Sequence, residues 1–174
     1  MDRPLNFQNI SRNKMNFDEV FHYIYSFMKK EPMGNYKLML GTDSQVHTHA
    51  TVFITGIVIQ RKGAGVWACF RKEVVNRQMH VLGERISYET SLTEEVASLF
   101  TEEKKTKLIN IVLPHIYKGA SFSIEGHIDI GAGERNRTRI YVEEMMARIE
   151  SLGMEAKIKP DAIVASGYAN KYTK

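Results

Sequence analysis

Four acidic residues of this sequence stand within or beside predicted strands and helices, where their carboxylates could act together: Asp43, Glu89, Asp129 and Asp161. Asp43 falls in the first β-rich run, and burying a carboxylate in a strand is costly unless it is paired or binds a metal. Clustered carboxylates supply the hard oxygen ligands that Mg²⁺ and Mn²⁺ prefer. The four acids are therefore a candidate metal site.

Each acid also has a structural explanation that needs no metal. Asp43 could form a turn with Ser44, and Glu89 could lie in the first turn of a helix because the helix dipole favours an acid there. Asp161 follows Pro160 and could cap the last helix. From the residues alone, both kinds of role stay open.

The histidines raise two further possibilities. The alternation of the fourth strand places Glu125, His127 and Asp129 on one face. His127 could therefore transfer a proton at the metal site, or it could be a hydrogen-bonded strand residue. His47 and His49 form a His-x-His pair that could bind zinc, but a zinc site needs a fuller ligand set, so a structural role is favoured.

The excess of basic residues is local. The chain has 24 Lys and Arg against 20 Asp and Glu. Residues 61–85 account for the whole excess, with only Glu73 and Glu84 opposing six basic side chains. The basic residues are Arg61, Lys62, Arg71, Lys72, Arg77 and Arg85. Such a strip is typical of a face that binds a polyanion, although many proteins have a solvated basic edge.

Length and composition narrow the class of protein. A chain of 174 residues with 43% hydrophobic and 25% charged residues predicts one globular domain, 1–174, with a polar N-terminal lead over residues 1–15. The single cysteine, Cys69, cannot form an internal disulfide, which favours a cytoplasmic location. No apolar run is long enough for a membrane span, and no signal peptide is expected.

The hydrophobic periodicity predicts an α/β fold. A helix beginning near Phe17 is followed by three strands, 36–46, 51–60 and 66–75, whose short connections favour an antiparallel meander. Helices are expected over 86–103, 108–115, 136–151 and 163–172, with strands at 121–130 and 155–159. This order predicts a mixed five-stranded sheet with helices on both faces.

This order of elements, with acids at those four places, resembles the ribonuclease H-like superfamily, and the local sequences resemble its bacterial YkuK family. The resemblance covers the chain from about residue 17 to its end. It is carried by Gly41-Thr42-Asp43-Ser44-Gln45, His127-Ile128-Asp129-Ile130-Gly131, Thr138-Arg139, Lys159-Pro160-Asp161-Ala162 and the tail from Ala165 to Lys174.

The resemblance implies that Asp43, Glu89, Asp129 and Asp161 hold Mg²⁺ or Mn²⁺, with Asp43 as the central ligand. Glu94 and Glu95 are alternatives to Glu89, and the final helix carries Asn170 where another acid could have competed with Asp161. The implied reaction is hydrolysis of a nucleic-acid phosphodiester, RNA, DNA or hybrid, assisted by two ions about 4 Å apart. Arg71, Lys72, Arg77 and Arg85 are expected to hold the backbone.

Two alternatives to a nuclease remain. The first is a binding module that keeps the fold and a basic face without turnover, since a fold does not fix a function. The second is phosphoryl or nucleotide chemistry on a small substrate, which would need a closed pocket. The loop Gly131-Ala132-Gly133-Glu134-Arg135 could contact phosphate, but it lacks the phosphate-loop pattern and is more typical of a strand-to-helix turn.

Overall fold

The computed structural model describes residues 4–174, which form one mixed sheet with helical segments on both of its faces. The strands are β1 (Asn35–Val46), β2 (Thr51–Arg61), β3 (Val66–Val75), β4 (Ser121–Ile128) and β5 (Glu155–Lys157). The α-helices are α1 (Phe17–Lys29), α2 (Leu82–Leu99), α3 (Glu102–Val112) and α4 (Val142–Glu150). The C-terminal segment combines a π-helix, Val164–Ala169, with a 3-10 turn, Asn170–Tyr172.

The order of strands across the sheet is β3-β2-β1-β4-β5. The first three strands pair antiparallel, whereas β4 is parallel to β1 and β5 is parallel to β4. The predicted mixed five-stranded sheet is thereby confirmed. No helix within residues 4–174 has the length and apolarity needed to cross a membrane.

The alternation of β1 separates two cores. Leu38 and Leu40 face the main core, to which α1, α2, α3 and α4 contribute. Met39 faces the opposite side, where it packs with Val58 and with Val164 of the C-terminal segment. Because successive side chains of a strand point to opposite faces, Asp43 shares the face of Met39. The C-terminal segment therefore covers the face that carries the first candidate ligand.

The predicted helix over 136–151 is shorter in the structure. It starts at Val142, after a loop and the 3-10 turn Arg139–Tyr141. The Asn136 side chain accepts hydrogen bonds from the amide and the hydroxyl of Thr138, and that hydroxyl also accepts one from the amide of Gly131. Short polar side chains that bond to nearby backbone compete with helix formation, which explains the loop.

The predicted polar lead is packed against the sheet. Phe7 and Met15 are fully buried and pair through their backbones. Gln8 exchanges two backbone hydrogen bonds with Phe70, so the segment covers part of the outer edge of β3. The first part of the lead, residues 1–3, lies outside the described residues.

Candidate metal centre

Asp43 and Asp129 are neighbours because two parallel strands end side by side. The register of β1 and β4 pairs Gly41 with His127 and Thr42 with Ile128. Asp43 and Asp129 come next on the two chains, and adjacent strands lie roughly 5 Å apart. The sheet therefore places these two carboxylates against one another, as the candidate metal site requires.

The protonation of Asp43 reflects this contact. Burial raises the pKa of Asp43 above its ordinary value, and the adjacent carboxyl of Asp129 raises it further. The side-chain amide of Asn170 opposes these effects, since it donates a hydrogen bond of 2.8 Å to Oδ2 of Asp43. A cation between the two acids would relieve the repulsion that remains.

One oxygen of Asp129 has no hydrogen-bond partner. Its Oδ1 is buried and is the one such unpaired side-chain atom among the described residues. The ammonium of Lys159 lies 3.3 Å away, but it does not make a hydrogen bond to this oxygen and is itself 46% exposed. An unpartnered carboxylate oxygen is costly in a protein interior and is suited to a metal ligand.

Glu89 approaches the pair from α2. It is buried, and the hydroxyl of Ser44 donates a hydrogen bond to its Oε1. Burial raises the pKa of Glu89 to about 8; the Ser44 bond lowers it, while the charges of Asp43 and Asp129 raise it. The Glu89 carboxyl is therefore protonated at neutral pH when no cation is bound.

A buried row of hydroxyls holds α2 in this orientation. Thr93 bonds to Thr42 over 2.8 Å, and Thr42 bonds to Thr55 over the same distance. Thr93 and Glu89 are four residues apart and so lie on one face of the helix. The Thr93 contact thereby fixes Glu89 at the end of β1.

The two other candidate glutamates face away from the pair. Glu94 forms a salt bridge with Arg148 on α4. Glu95 lies 2.9 Å from Arg71 on β3. Of the three glutamates, it is Glu89 that the structure brings to Asp43 and Asp129.

The C-terminal segment reaches Asp43 because two glycines allow it close to the sheet. A Cβ atom on Gly41 would lie 2.9 Å from the backbone nitrogen of Ala165 and 3.0 Å from Cβ of His127. A Cβ atom on Gly56 would meet Tyr168 and Val164 at 2.8 and 3.0 Å. These distances leave no room for a side chain at either position. The two glycines therefore permit the close packing that places Asn170 beside Asp43.

His127 lies under this segment and is fully engaged. Its Nδ1 accepts a hydrogen bond from the backbone amide of Val164, so its Nε2 carries the proton and donates to Glu125 over 3.0 Å. Burial lowers the pKa of His127, which keeps the ring neutral. The expected proton-transfer role finds no support, because neither ring nitrogen is open to the Asp43 carboxylate.

Asp161 is not brought to the cluster. It is exposed and lines a shallow cavity with Lys37, Gln60, Glu125 and Lys157. It also does not cap the last helix, which begins at Val164 after Ile163 without a side-chain cap. The C-terminal residue at the carboxylate pair is Asn170, whose amide takes the place expected for a fourth acid.

Comparison with known proteins agrees with the observed fold. The family model described as ribonuclease H-like matches residues 19–174. The chain belongs to the ribonuclease H-like family. It is also 39% identical over 168 residues to the uncharacterized protein YkuK of Bacillus subtilis, with 97% of this chain and 96% of that protein aligned. No solved structure matches it.

The ribonuclease H-like fold does not present the predicted basic strip as one free surface. Arg71 pairs with Glu95 and lies 3.9 Å from Glu73, and Arg77 pairs with Glu84. Arg85 bonds to the carbonyl of Met79 and, through its charge, lowers the pKa of Glu89. Lys72 is exposed, in the cross-strand row that contains Asp43 and Ile54. Local pairing thus neutralises much of the charge counted along the sequence.

The loop that follows Asp129 is more basic than the sequence analysis recognised. Arg135, Arg137 and Arg139 are exposed in the loop that follows Asp129. The bonds among Gly131, Asn136 and Thr138 hold this loop closed. Three arginines at alternate positions are the signal for this surface, but residues 131–135 are predicted as a strand-to-helix turn and residues 136–151 as a helix.

The donor set fits a divalent cation in part. Asp43 is buried and Asp129 is half-buried beside it, with a buried Oδ1 that accepts no hydrogen bond, and two adjacent carboxylates are the ligands a hard cation requires. Within residues 4–174, however, no three His, Cys, Asp or Glu side chains converge as a preformed metal-binding group, and Glu89 is bonded to Ser44. Asp43 and Asp129 are thus the core of the candidate centre, with Glu89 as the adjacent third carboxyl.

Proposed function

We propose that this protein is a Mg²⁺- or Mn²⁺-dependent phosphodiesterase that cleaves nucleic acid. The observation that carries the proposal is the meeting of Asp43 and Asp129 at the ends of parallel strands, with Oδ1 of Asp129 buried and without a hydrogen bond. Two adjacent carboxylates repel each other and need a compensating positive charge. Lys159 supplies part of it through its ion pair with Asp129, and a bound divalent cation would supply the rest.

Within this proposal, Asp43 and Asp129 hold the cation and Glu89 completes the carboxylate set after it loses its proton. The metal supplies charge stabilisation to an in-line phosphodiester displacement. Asn170 orients Asp43, and Ser44 holds Glu89 until the site is loaded. The contacts of Asn170 with Asp43 and of Ser44 with Glu89 are both present before substrate binds.

The substrate class follows from the charged surface next to the pair. Arg135, Arg137 and Arg139 are exposed within ten residues of Asp129 in the sequence, and Lys159 lies beside its carboxylate. Exposed arginines bind phosphate oxygens through several donors at once. A polyanionic backbone running along this loop would pass the carboxylates, which favours nucleic acid over a small neutral substrate.

A second candidate is a nucleic-acid-binding module without turnover. Asn170 favours it, because its amide occupies a coordination direction of Asp43 in place of a fourth acid. In this alternative, the arginine loop binds phosphate while the carboxylates stay without metal.

A cleavage assay separates the two. End-labelled RNA, DNA and hybrid oligonucleotides are incubated with the protein in Mn²⁺, in Mg²⁺ and in EDTA, and products are resolved by length. The nuclease proposal expects metal-dependent products that Asp43→Asn and Asp129→Asn abolish and that Asp161→Asn, an exposed acid away from the pair, leaves in place. Tight binding with every substrate intact would sink the nuclease proposal and support the binding module.

A further inference from the structure

The most distinctive cavity of the molecule lies apart from the carboxylates, at the outer edge of β3. This aromatic cleft has a volume of about 450 Å³. Its walls combine aromatic rings with two cations, and no acidic residue is found among the described residues that line it. The residues that matter are Arg12, Tyr23, Trp67, Tyr168, Lys171 and Tyr172.

Each wall pairs rings with a cation. On one side, Tyr23 stacks on Trp67 at 5.3 Å between ring centroids, and the guanidinium of Arg12 lies 5.4 Å from the Tyr23 ring. On the other side, the ammonium of Lys171 lies 4.9 Å from Tyr168 and 5.1 Å from Tyr172. Such a cation keeps its charge available to an anion in the cleft.

Core packing accounts for only part of this surface, because Tyr23 and Trp67 pack at the margin of the main core while the cleft beside them stays open. Trp67 is only partly buried, and the apolar neighbours Val66 and Ile10 are 56% and 94% exposed. The lead pairs with β3 at Phe70, whereas the cleft lies at Val66 to Ala68 on the same strand. Exposed apolar and aromatic groups gathered around two cations mark a binding surface.

We propose that the aromatic cleft binds an unpaired segment of nucleic acid, with bases against the rings and phosphates at Arg12 and Lys171. Stacking on aromatic side chains along a positively charged groove is how proteins hold single strands without reading sequence. A duplex keeps its bases stacked on each other and cannot offer their faces to Trp67. The cleft therefore favours single strands.

The C-terminal segment connects the cleft with the candidate metal centre. Tyr168, Lys171 and Tyr172 line the cleft, while Asn170, between them in sequence, contacts Asp43. Strand geometry places Trp67 about 20 Å from Asp43, five residues along β3 and two strands across. Trp67 lies on the main-core face of the sheet, whereas Tyr168 lies on the face of Asp43, so the cleft extends around the edge of β3. A strand anchored in the cleft can therefore reach the carboxylates along its C-terminal wall; this direction rests on the proposed function, whereas binding in the cleft does not.

Trp67 is the single tryptophan of the chain, so its fluorescence reports on the cleft alone. The wild-type protein is titrated in EDTA with an oligothymidylate of about 12 nucleotides, a length that single-strand-binding folds cover, and with a hairpin duplex of equal charge. We expect saturable quenching by the single strand and much weaker quenching by the duplex. Unchanged fluorescence with the single strand overturns the proposal.

Variants tie the signal to the two cations. Lys171→Ala and Arg12→Ala should each weaken binding severalfold and lower the slope of log affinity against log salt by about 0.7. The matched control is Lys118→Ala, which removes an exposed lysine lying 5.5 Å from the Tyr117 ring outside the cleft and should bind as wild type. Equal affinities for Lys171→Ala and Lys118→Ala overturn the proposal.

Failure of the cleft and failure of the proposed function are distinguishable. If the wild type cleaves in a metal-dependent manner while Lys171→Ala and Arg12→Ala bind the single strand normally, the cleft proposal fails and the nuclease proposal stands. Cleft-dependent binding without any cleavage supports the cleft and sinks the nuclease.

Discussion

The side-chain amide of Asn170 donates a hydrogen bond of 2.8 Å to the Asp43 carboxylate, across 127 residues of sequence. The bond stabilises the ionised form of a buried acid, which burial and the neighbouring Asp129 disfavour. It also fastens the C-terminal segment to the end of β1. One contact therefore sets both the charge of the candidate centre and the closure of the fold around it.

Replacing this amide by an acid should exchange stability for metal affinity. In Asn170→Asp, a third carboxylate joins Asp43 and Asp129, so in EDTA the melting temperature should fall by a few degrees, about 2–4 °C per kcal/mol for this chain length. Saturating Mn²⁺ should more than restore it. Differential scanning calorimetry with and without Mn²⁺ measures both effects, and Asn76→Asp, an exposed asparagine away from the site, is the control. Identical shifts in the two variants contradict the prediction.

Removing one acid of the pair should have the opposite effect. Asp129→Asn eliminates the repulsion with Asp43, so the free energy of unfolding in EDTA should rise by about 1 kcal/mol. The wild type should gain ~2.7 kcal/mol at Mn²⁺ concentrations ~100 times its Kd, whereas the variant should gain almost nothing. Urea unfolding at fixed pH gives both numbers.

Asp161→Asn is the matched control for that experiment, since Asp161 is an exposed acid that does not lie with the pair. It should keep the wild-type response to Mn²⁺. A loss of the Mn²⁺ response in Asp161→Asn would show that the centre includes a residue the structure places elsewhere.

The raised pKa of Glu89 predicts a specific pH dependence of stability without metal. The unfolded chain ionises this carboxyl near 4.5, whereas the folded protein keeps it protonated up to about 8. The associated stability is present below pH 4.5 and is lost as the pH rises through 8, with a slope of up to ~1.4 kcal/mol per pH unit.

Urea unfolding in EDTA between pH 6.5 and 8 tests this dependence by comparison with Glu89→Gln, which keeps His127. The contribution of His127, whose pKa is lowered by burial in the folded protein and is near 6.5 in the unfolded chain, is therefore common to both proteins. The free energy of unfolding should fall across this window in the wild type and change little in Glu89→Gln. Glu95→Gln, which removes an acid on the same helix that pairs with Arg71, should retain the wild-type slope. A flat wild-type profile would falsify the assignment of the proton to Glu89.

Local patterns in the sequence assigned Asp43 and Asp129 to their strands, whereas their partnership was an expectation from the family resemblance. Alternation fixed which residues share a face of β4, and the meander of short loops fixed that β1 is followed by two antiparallel neighbours. The family resemblance then indicated Asp43 and Asp129 as partners, and the parallel register of β1 and β4 brings them together. Strand alternation and sheet topology thus account for the positions of Asp43 and Asp129 on neighbouring strands.

Contacts between residues distant in sequence could not be predicted in the same way. The charge count of residues 61–85 included Arg71 as free, yet its partner Glu95 lies 24 residues away on α2. Asp161 was expected at a helix start, but the last helix begins three residues later and winds as a π-helix. Packing of this segment on Gly41, rather than any local signal, determines which of its side chains meets Asp43.

The arginine loop should contribute phosphate contacts that Arg77 does not. Arg137 is exposed eight residues after Asp129 in the sequence, whereas Arg77 is paired with Glu84. Binding is measured by fluorescence anisotropy with a labelled oligonucleotide in EDTA. Arg137→Ala should lower the slope of log affinity against log salt by about 0.7–0.9. Replacing Arg135, Arg137 and Arg139 together by alanine should lower that slope by two to three times as much. Arg77→Ala should leave the slope unchanged. A slope that is the same for all variants would place the bound strand elsewhere on the surface.

The close approach at Gly41 predicts a strong effect of one methyl group. In Gly41→Ala, the new Cβ would press on the backbone of Ala165 and on His127, neither of which is a flexible side-chain end. The free energy of unfolding should fall by about 1–3 kcal/mol. Gly167→Ala is the control in the same C-terminal segment, because a Cβ there meets nothing within 4 Å, and it should leave stability unchanged or slightly raised. Urea unfolding compares the two, and equal stabilities would mean that the segment does not pack on β1 at this distance.

The same substitution should also change the response to Mn²⁺. The displaced segment carries Asn170, so Gly41→Ala should weaken the hydrogen bond from Asn170 to Asp43 and alter the Mn²⁺-induced rise in melting temperature. Gly167→Ala should leave that rise as in the wild type.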